Sequence, residues 1–151
     1  MVFMDYQALY DEWLTSPCFD EATKAELRGI SEEEKKDRFY TELEFGTAGL
    51  RGVIGAGLNR MNIYTVRRAA QGLANYLLKF SKKTSVVISF DSRNNSKTFA
   101  EDSARVLAAN GVKVYITKSL KPTPVLSFLV RKLGTDAGIM ITASHNPSEY
   151  N

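Results

Sequence analysis

The first 42 residues place apolar side chains at helical spacing. Five of them recur three or four positions apart and form one stripe of an amphipathic helix: Tyr6, Leu9, Tyr10, Trp13 and Leu14. Pro17 ends this pattern. Asp20 is a suitable N-cap for a second helix that stops at Gly29, and Ser31 with Glu34 has the form of a capping box for a third. These signals predict a helical N-terminal extension over residues 1–42.

From residue 43 the pattern changes to short apolar runs separated by longer amphipathic segments. Leu43-Glu44-Phe45 predicts a short strand, and a glycine-rich stretch follows up to Asn62, a suitable N-cap. The rest predicts three helices alternating with three strands: a helix over 63–80, a strand over 85–90, a helix over 96–109, a strand over 112–116, a helix over 123–133 that Thr123 caps, and a strand over 137–141. The predicted order is therefore β–α–β–α–β–α–β.

Strands that alternate with helices of this length are typical of an α/β layer sandwich with a mostly parallel sheet. In such a sheet, ligands bind beyond the carboxyl ends of the strands. Two polar segments directly follow predicted strands, namely Asp91-Ser92-Arg93 and Thr142-Ala143-Ser144-His145. We therefore expect these two segments to share one crevice.

The composition is that of a water-soluble chain with one core. The chain has 151 residues, of which 44% are hydrophobic and 25% are charged, and this length suits one domain with a small appendage. The N-terminus has no basic start and no apolar h-region, and no apolar run reaches the ~18 residues that a membrane span needs. We expect a cytoplasmic protein without a membrane partner. The single cysteine, Cys18, excludes an internal disulfide.

The net charge of +3 conceals a division along the chain. Residues 1–44 contain 12 acidic and 5 basic side chains, whereas residues 45–151 contain 5 acidic and 15 basic ones. The excess of basic side chains in residues 45–151, the basic body, suits a polyanionic ligand, either nucleic acid or a phosphorylated small molecule. It equally suits a solvated surface whose positive charge is balanced by other parts of the protein. Nucleic acid is disfavoured because the body has no aromatic-rich basic stripe, zinc motif or helix-turn-helix signature.

Ser144 is the first candidate for chemistry, since it follows an apolar run and precedes a polar turn with Pro147. A serine hydroxyl is a weak nucleophile that needs a base or an activated group. His145 is the only histidine, and adjacent residues rarely face each other well enough for proton transfer. The G-x-S-x-G elbow is also absent, which disfavours a serine hydrolase. A phosphorylated Ser144 would instead need cations around it.

The glycine-rich stretch from Gly46 to Gly52 is the second candidate. Its glycines permit close backbone approach to an anion, and Arg51 offers a planar fork that suits phosphate oxygens. The stretch lacks the G-K-[ST] ending of a P-loop, and it is not a dinucleotide G-x-G-x-x-G motif. An ordinary turn is the alternative when the stretch is read alone.

Taken together, these segments resemble the α-D-phosphohexomutase superfamily. The sequence T-A-S-H-N-P-x-x-Y-N over residues 142–151 is similar to the phosphoserine loop of that family, and F-G-T-A-G-L-R-G over 45–52 is similar to its N-terminal signature. Asp91-Ser92-Arg93 with Ser96 resembles its D-x-R-x-x-S loop, and Pro122-Thr123-Pro124 its P-T-P segment. The acidic extension with Trp13 is most similar to the phosphoglucomutase and phosphopentomutase branch.

The resemblance implies a three-layer α/β sandwich with a mostly parallel mixed sheet, of which residues 43–151 are the first of four domains. It implies that domains II–IV of the same protein are partners and that they complete the site. Members of the family move a phosphoryl group between the 1- and the 6- or 5-position of glucose, ribose or deoxyribose phosphate. They do so through a phosphoserine and a sugar bisphosphate.

The resemblance also implies roles for individual residues. Ser144 matches the catalytic phosphoserine, whose phosphate group also holds Mg²⁺ together with aspartates of the second domain. Arg51, Ser144, His145 and Asn146 match residues that meet the phosphorylated sugar. Glucose 1,6-bisphosphate is the implied activator. No D-G-D-x-D cluster occurs in this sequence, so we expect the 151 residues alone to be inactive and to hold Mg²⁺ weakly.

Three alternatives remain open at this point. A phosphomannomutase and a glucose-1,6-bisphosphate synthase belong to the same class, because the loop that reads the sugar would lie outside this chain. A non-catalytic domain that binds phosphate or another anion belongs to a different class. Such a domain has no need of the Ser144 hydroxyl, so the substitution Ser144→Ala discriminates it from an enzyme.

Overall fold

The computed structural model describes residues 5–47 and 49–151. These residues form six α-helices and three β-strands, in the order α1 (Tyr6–Thr15), α2 (Glu21–Arg28), α3 (Glu32–Phe39), α4 (Ile63–Leu77), β1 (Ser85–Phe90), α5 (Ser96–Ala109), β2 (Lys113–Ile116), α6 (Thr123–Leu133) and β3 (Ala137–Ile141). They divide into two compact units. One unit comprises the described residues up to Asn62 together with Tyr150, and the other comprises residues 63–149 together with Asn151.

The second and third helices begin at the N-caps that the sequence predicts. The Asp20 side chain accepts the amide of Thr23 at 2.8 Å, and Gly29 ends α2. The capping box of α3 is formed in both directions, because the Ser31 hydroxyl accepts the Glu34 amide and the Glu34 carboxylate accepts the Ser31 amide. These bonds satisfy amide groups that the helix itself leaves without partners.

Aromatic side chains form the core of the first unit. The ring of Phe39 is fully buried and meets Tyr10 and Trp13 edge-on, with centroids 5.8 and 5.6 Å apart. Trp13 stacks on Phe19 at 4.1 Å, and the Tyr10 hydroxyl donates to the carbonyl of Leu27 at 3.0 Å. The apolar stripe predicted for α1 is therefore the face that packs on α3.

The strand predicted at 43–45 is not formed, so this expectation was wrong. The described residues from 41 to 62 are turns with isolated bridges, such as Gly46 with Gly49 and Val53 with Tyr150. Phe45 is 71% exposed, and a strand without a neighbouring strand leaves its backbone groups unpaired. Ala48, in the middle of the predicted glycine-rich stretch, lies outside the described residues.

In the second unit, a parallel sheet has the strand order β2-β1-β3. Val86 of β1 pairs with Val114 of β2 on one side and with Ala137 of β3 on the other. Because β1 is central, its five side chains from residue 86 to residue 90 are all buried, and they alternate between the two faces of the sheet.

Helices cover both faces of this sheet, which confirms the predicted three-layer α/β fold. The connection from β1 to β2 and the one from β2 to β3 run in opposite directions across the sheet. Right-handed crossovers then put α5 and α6 on opposite faces. Helix α5 packs on β1 and β2 and against α4, whereas α6 packs on β1 and β3. In the described part of the chain the sheet has three strands, all parallel.

Two helix boundaries differ from the prediction. Helix α4 ends at Leu77 rather than at Phe80, whose side chain is 74% exposed. Helix α6 has Pro122 rather than Thr123 as its N-cap, and no side chain caps it. Pro124 lies in the first turn, where its missing amide costs no intrahelical hydrogen bond. Gly134 ends α6 with φ of 62°, as its sequence position predicts.

Of the helices in residues 5–47 and 49–151, none combines the length and apolarity that crossing a membrane requires.

Candidate active site

The candidate site of the second unit lies where the direction of the chain across the sheet reverses. With strand order β2-β1-β3, this switch falls between β1 and β3, and crevices for ligands form outside the carboxyl ends of strands at such points. Asp91 directly follows β1 and Thr142 directly follows β3. Their side chains meet, since the Thr142 hydroxyl donates to Asp91 Oδ2 at 2.5 Å. The predicted meeting of the two polar segments is confirmed.

Ser144 occupies an unusual backbone position in this loop. Its φ is 54°, in the left-handed region that residues with a side chain rarely adopt. The amide of Asn146 donates to the carbonyl of Ala143 at 2.9 Å, so Ser144 is the first central residue of a tight turn. Ala143 is fully buried beneath the turn, whereas Ser144 is exposed. The turn thus presents the serine hydroxyl to the crevice side of the sheet edge.

Asp91 organises the base of the loop by accepting three hydrogen bonds. Oδ2 accepts from the Thr142 hydroxyl, while Oδ1 accepts from the Arg93 amide at 3.0 Å and from the Ser96 hydroxyl at 3.1 Å. Since Thr142 uses its proton on Asp91, its oxygen has a lone pair free to accept the amide of Ser144 at 2.9 Å.

The guanidinium of Arg93 spans the loop from the other strand end. Nη2 donates to the carbonyl of Ser144 at 2.5 Å, and Nη1 donates to the carbonyl of Pro147 at 2.8 Å. These are charge-assisted bonds to two carbonyls of the serine loop. Arg93 therefore acts on the backbone of the serine loop.

His145 lies closer to the serine hydroxyl than the sequence suggests. Its Nδ1 is 3.3 Å from Ser144 Oγ, although the two residues are adjacent and were expected to face poorly. The exposed histidine ring is thus within hydrogen-bonding reach of the candidate nucleophile. The Asn146 side chain is half-buried beside it.

Arg51 and its glycine-rich stretch belong to the first unit. Arg51 is half-buried, and Gly49 has φ of 97°, which a side chain would strain. The predicted role of Arg51 in binding phosphate stays a prediction.

Sequence reasoning missed a second set of bonds that tie the loop to helix α5. The Asn151 side chain is buried and donates to the Asn94 carbonyl at 2.7 Å and to the Ser96 hydroxyl at 2.8 Å. Asn94 donates back to the carbonyl of Ser148 at 3.3 Å. The available signal was the D-x-R-x-x-S pattern itself, because its spacing places Ser96 at the first turn of α5.

The binding of Mg²⁺ stays a prediction for this chain. Within 5–47 and 49–151, no group of three or more His, Cys, Asp or Glu side chains could hold a metal ion. Both carboxylate oxygens of Asp91, which contacts the serine loop through Thr142, accept hydrogen bonds.

Comparison with known proteins places these features in a wider group. Residues 42–151 match a family model described as phosphoglucomutase/phosphomannomutase, alpha/beta/alpha domain I. A phosphoglucomutase of Staphylococcus haemolyticus (strain JCSC1435) is 53% identical over 113 residues, which are 75% of this chain and 21% of the relative. A phosphoglucomutase of Staphylococcus aureus (strain bovine RF122 / ET3-1) is 49% identical over 118 residues, 78% of this chain and 21% of that protein.

A solved structure has the same fold. The crystal structure of a Thermus thermophilus protein assigned as a phosphomannomutase superposes with a TM-score of 0.67 at 39% identity, covering 73% of this chain and 24% of that one. The chain thus spans about a fifth of the length of the curated relatives it matches.

Proposed function

Because the chain belongs to the phosphoglucomutase/phosphomannomutase family through its alpha/beta/alpha domain I, we propose that it carries the phosphoryl-transfer serine of a phosphosugar mutase. The mutase moves a phosphoryl group between the 1-position and the 6- or 5-position of a glucose or pentose phosphate. Ser144 is the residue that accepts and donates this group.

The observation that carries the proposal is the position of Ser144. The residue is exposed on a tight turn with φ of 54° at the carboxyl end of β3, where the strand order reverses. A strained backbone conformation persists only where interactions with the surrounding residues hold it in place, and such conformations are concentrated at functional sites. Here that support comes from two hydrogen bonds: the Ser144 amide donates to the Thr142 hydroxyl, and Arg93 donates to the Ser144 carbonyl.

The proposed step exchanges one P–O bond for another. The bond between phosphorus and Ser144 Oγ breaks, a bond between phosphorus and a sugar hydroxyl oxygen forms, and the proton of that hydroxyl passes to Ser144 Oγ. The sugar bisphosphate then reorients, and the reverse exchange at its other end restores the phosphoserine. Such transfer depends on positioning and on neutralising negative charge rather than on a strong base. His145, with Nδ1 3.3 Å from Oγ, is suited to hydrogen-bond the serine oxygen between the two exchanges.

The charge of residues 45–151 supports the binding of a phosphorylated sugar and of its bisphosphate intermediate. Residues 45–151 carry 15 basic side chains against 5 acidic ones, and a phosphate group needs cationic or amide donors. We assign Arg51, His145 and Asn146 to contacts with the phosphorylated sugar.

The remaining components of the proposed enzyme come from outside this chain. Mg²⁺ needs carboxylates beyond the described residues, so it enters the proposal only as an ion that the phosphate of Ser144 helps to bind. Glucose 1,6-bisphosphate is the proposed activator. Domains II–IV of a longer protein complete the site, and we propose that this protein works in the cytoplasm without a membrane or nucleic-acid partner.

Mutase turnover of the longer protein tests the proposal. Glucose 1-phosphate and ribose 1-phosphate are supplied separately with Mg²⁺ and a trace of glucose 1,6-bisphosphate. Wild type, Ser144→Ala and the matched control Ser148→Ala are compared. We expect Ser144→Ala to lose turnover on both sugars, whereas Ser148→Ala, altered four positions further along the same loop, retains it. The ratio of the two wild-type rates identifies the preferred sugar.

A label on the serine gives the second readout. Incubation with ³²P-labelled bisphosphate should transfer the label to the wild type and not to Ser144→Ala. Turnover that survives in Ser144→Ala would rule out the phosphoserine. Retained phosphate binding with no turnover in the wild type would favour the non-catalytic anion-binding domain.

A further inference from the structure

We propose that Thr142 and Arg93 are positioning residues that clamp the two peptide groups on either side of Ser144. Together they hold the serine in its left-handed conformation while the phosphoryl group comes and goes. This inference rests on the proposed function of Ser144. Neither residue needs to touch the substrate, because both act on the serine backbone.

The clamp on the N-terminal side is the Thr142 hydroxyl. It accepts the amide of Ser144 at 2.9 Å and donates to Asp91 Oδ2 at 2.5 Å. A hydroxyl has a single proton, so donation to the carboxylate fixes its direction and leaves the oxygen as an acceptor for the serine amide. Asp91 is itself held by Ser96 and by the Arg93 amide. The serine amide is therefore tied to the end of β1.

The clamp on the C-terminal side is the Arg93 guanidinium. Its Nη2 donates to the carbonyl of Ser144 at 2.5 Å, and its Nη1 donates to the carbonyl of Pro147 at 2.8 Å. Two donors on one rigid plane define the separation of the two carbonyls and hence the shape of the loop from Ser144 to Pro147. A lysine ammonium is a single point of charge and cannot reproduce this planar fork.

Positive φ explains why two clamps are needed. Ser144 has a Cβ that disfavours φ of 54°, so a freed loop would relax toward ordinary backbone angles and swing Oγ away from its position. Phosphoryl transfer needs the attacking and leaving oxygens in line with phosphorus. A displacement of about 1 Å can reduce the rate on the order of 10²-fold. The clamps therefore act on the rate of transfer rather than on the affinity for the sugar.

The test uses the longer protein and two pairs of variants. Thr142→Val removes the hydroxyl with little change of shape, and Thr142→Ser retains it. Arg93→Met removes the fork, and Arg93→Lys keeps the charge without the fork. We expect kcat to fall on the order of 10²-fold in Thr142→Val and in Arg93→Met, with KM for the sugar phosphate changed less than about threefold. Thr142→Ser should recover most of the rate, and Arg93→Lys should not.

A matched control separates positioning from a general loss of folding. Arg131→Met removes another partly solvated arginine, whose Nη1 donates to the Ser127 hydroxyl on helix α6. It should leave kcat within about twofold. The folded fraction of every variant is measured by circular dichroism, so that rates are compared per folded molecule. A full rate in Thr142→Val or in Arg93→Lys, or a rise of KM with unchanged kcat, would overturn the clamp.

Hydrogen exchange at the Ser144 amide distinguishes failure of the clamp from failure of the proposed function. This amide is the donor to Thr142, so its exchange should be at least about tenfold faster in Thr142→Val than in wild type or Thr142→Ser. This exchange rate can be measured whether or not the variant has mutase activity. Unchanged exchange would overturn the clamp even if Ser144 proved catalytic, whereas fast exchange with a dispensable Ser144 would overturn only the proposed function.

Discussion

The hydroxyl oxygen of Ser144 lies 3.3 Å from Nδ1 of His145, its direct neighbour in the chain. This contact is available because the turn at residues 143–146 gives Ser144 a positive φ. In an extended strand, consecutive side chains point to opposite faces. The left-handed residue is therefore what brings the two side chains together.

This contact predicts a moderate role for His145 in turnover. In the longer protein, His145→Ala should lower kcat by roughly fivefold or more, because a hydrogen bond contributes about 1 kcal/mol and that energy corresponds to such a factor in rate. The measurement is mutase turnover at saturating sugar phosphate, with Ser92→Ala as a control on a nearby exposed loop. Unchanged kcat in His145→Ala would show that the contact does not matter for turnover.

The positive φ of Ser144 also predicts an unusual order of stability among inactive variants. Ser144→Gly should be more stable than Ser144→Ala by roughly 0.5–1 kcal/mol, since glycine avoids the left-handed penalty and the entropy of its unfolded chain offsets only part of that gain. The free energy of unfolding by denaturant measures the difference.

The matched pair for this prediction is Ser148→Gly and Ser148→Ala, because Ser148 is not among the described residues with positive φ. There alanine should be at least as stable as glycine. Equal stability of the two Ser144 variants would mean that the turn relaxes without strain.

The start of the sheet depends on an exposed carboxylate. The amide of Ser85 donates to Asp136 Oδ2 at 2.8 Å and the Thr84 hydroxyl donates to the same oxygen at 3.1 Å. These bonds, the one from the Ser85 amide first, hold the pKa of Asp136 below its usual range. A lowered pKa in the folded state contributes stability above the unfolded pKa of about 3.9, and this contribution is lost as pH falls through the folded value.

The expected result is a difference in stability between wild type and Asp136→Asn that is present at neutral pH and shrinks toward about pH 3. The measurement is the free energy of unfolding of both proteins across this range. Glu33→Gln, which removes one exposed carboxylate from helix α3, controls for the change in net charge. If the stability difference between wild type and Asp136→Asn grew on acidification, the lowered pKa of Asp136 in the folded state would be contradicted, because a lowered pKa makes this difference shrink as pH falls.

Gly138 of β3 is required by the packing of helix α6. A Cβ at this position would lie 2.6 Å from Cγ2 of Val130 and 3.4 Å from Cδ1 of Leu126. Gly138→Ala should therefore destabilise the protein by about 1–3 kcal/mol, as overpacking does. Thermal and denaturant unfolding measure the loss.

Gly72 provides the contrasting substitution within helix α4. Nothing lies within 4 Å of a Cβ built there, so Gly72→Ala should stabilise by roughly 0.5–1 kcal/mol through helix propensity. If Gly138→Ala and Gly72→Ala changed the free energy of unfolding in the same direction, the close approach of α6 to β3 would not explain the effect of Gly138→Ala.

Much of the fold could be predicted from the sequence because its signals are local. The caps at Asp20 and Ser31 and the stop at Gly134 each depend on residues within one turn of the helix. The strands β1 and β3 follow from short apolar runs. The segment Leu43-Glu44-Phe45 alternates apolar and polar residues as a strand does, but in the described residues it pairs with no strand. The choice of a pairing partner is not encoded within a few residues.

The sequence by itself therefore determined the helices, the alternation with strands, the family resemblance and the identity of Ser144 as the candidate residue. Only the tertiary structure decided the strand order β2-β1-β3 and the contacts that depend on it. Arg93 and Ser144 are 51 positions apart, as are Asp91 and Thr142. Such residues meet because two parallel strands end side by side, and long-range pairing is set by the packing of the whole core rather than by local preference.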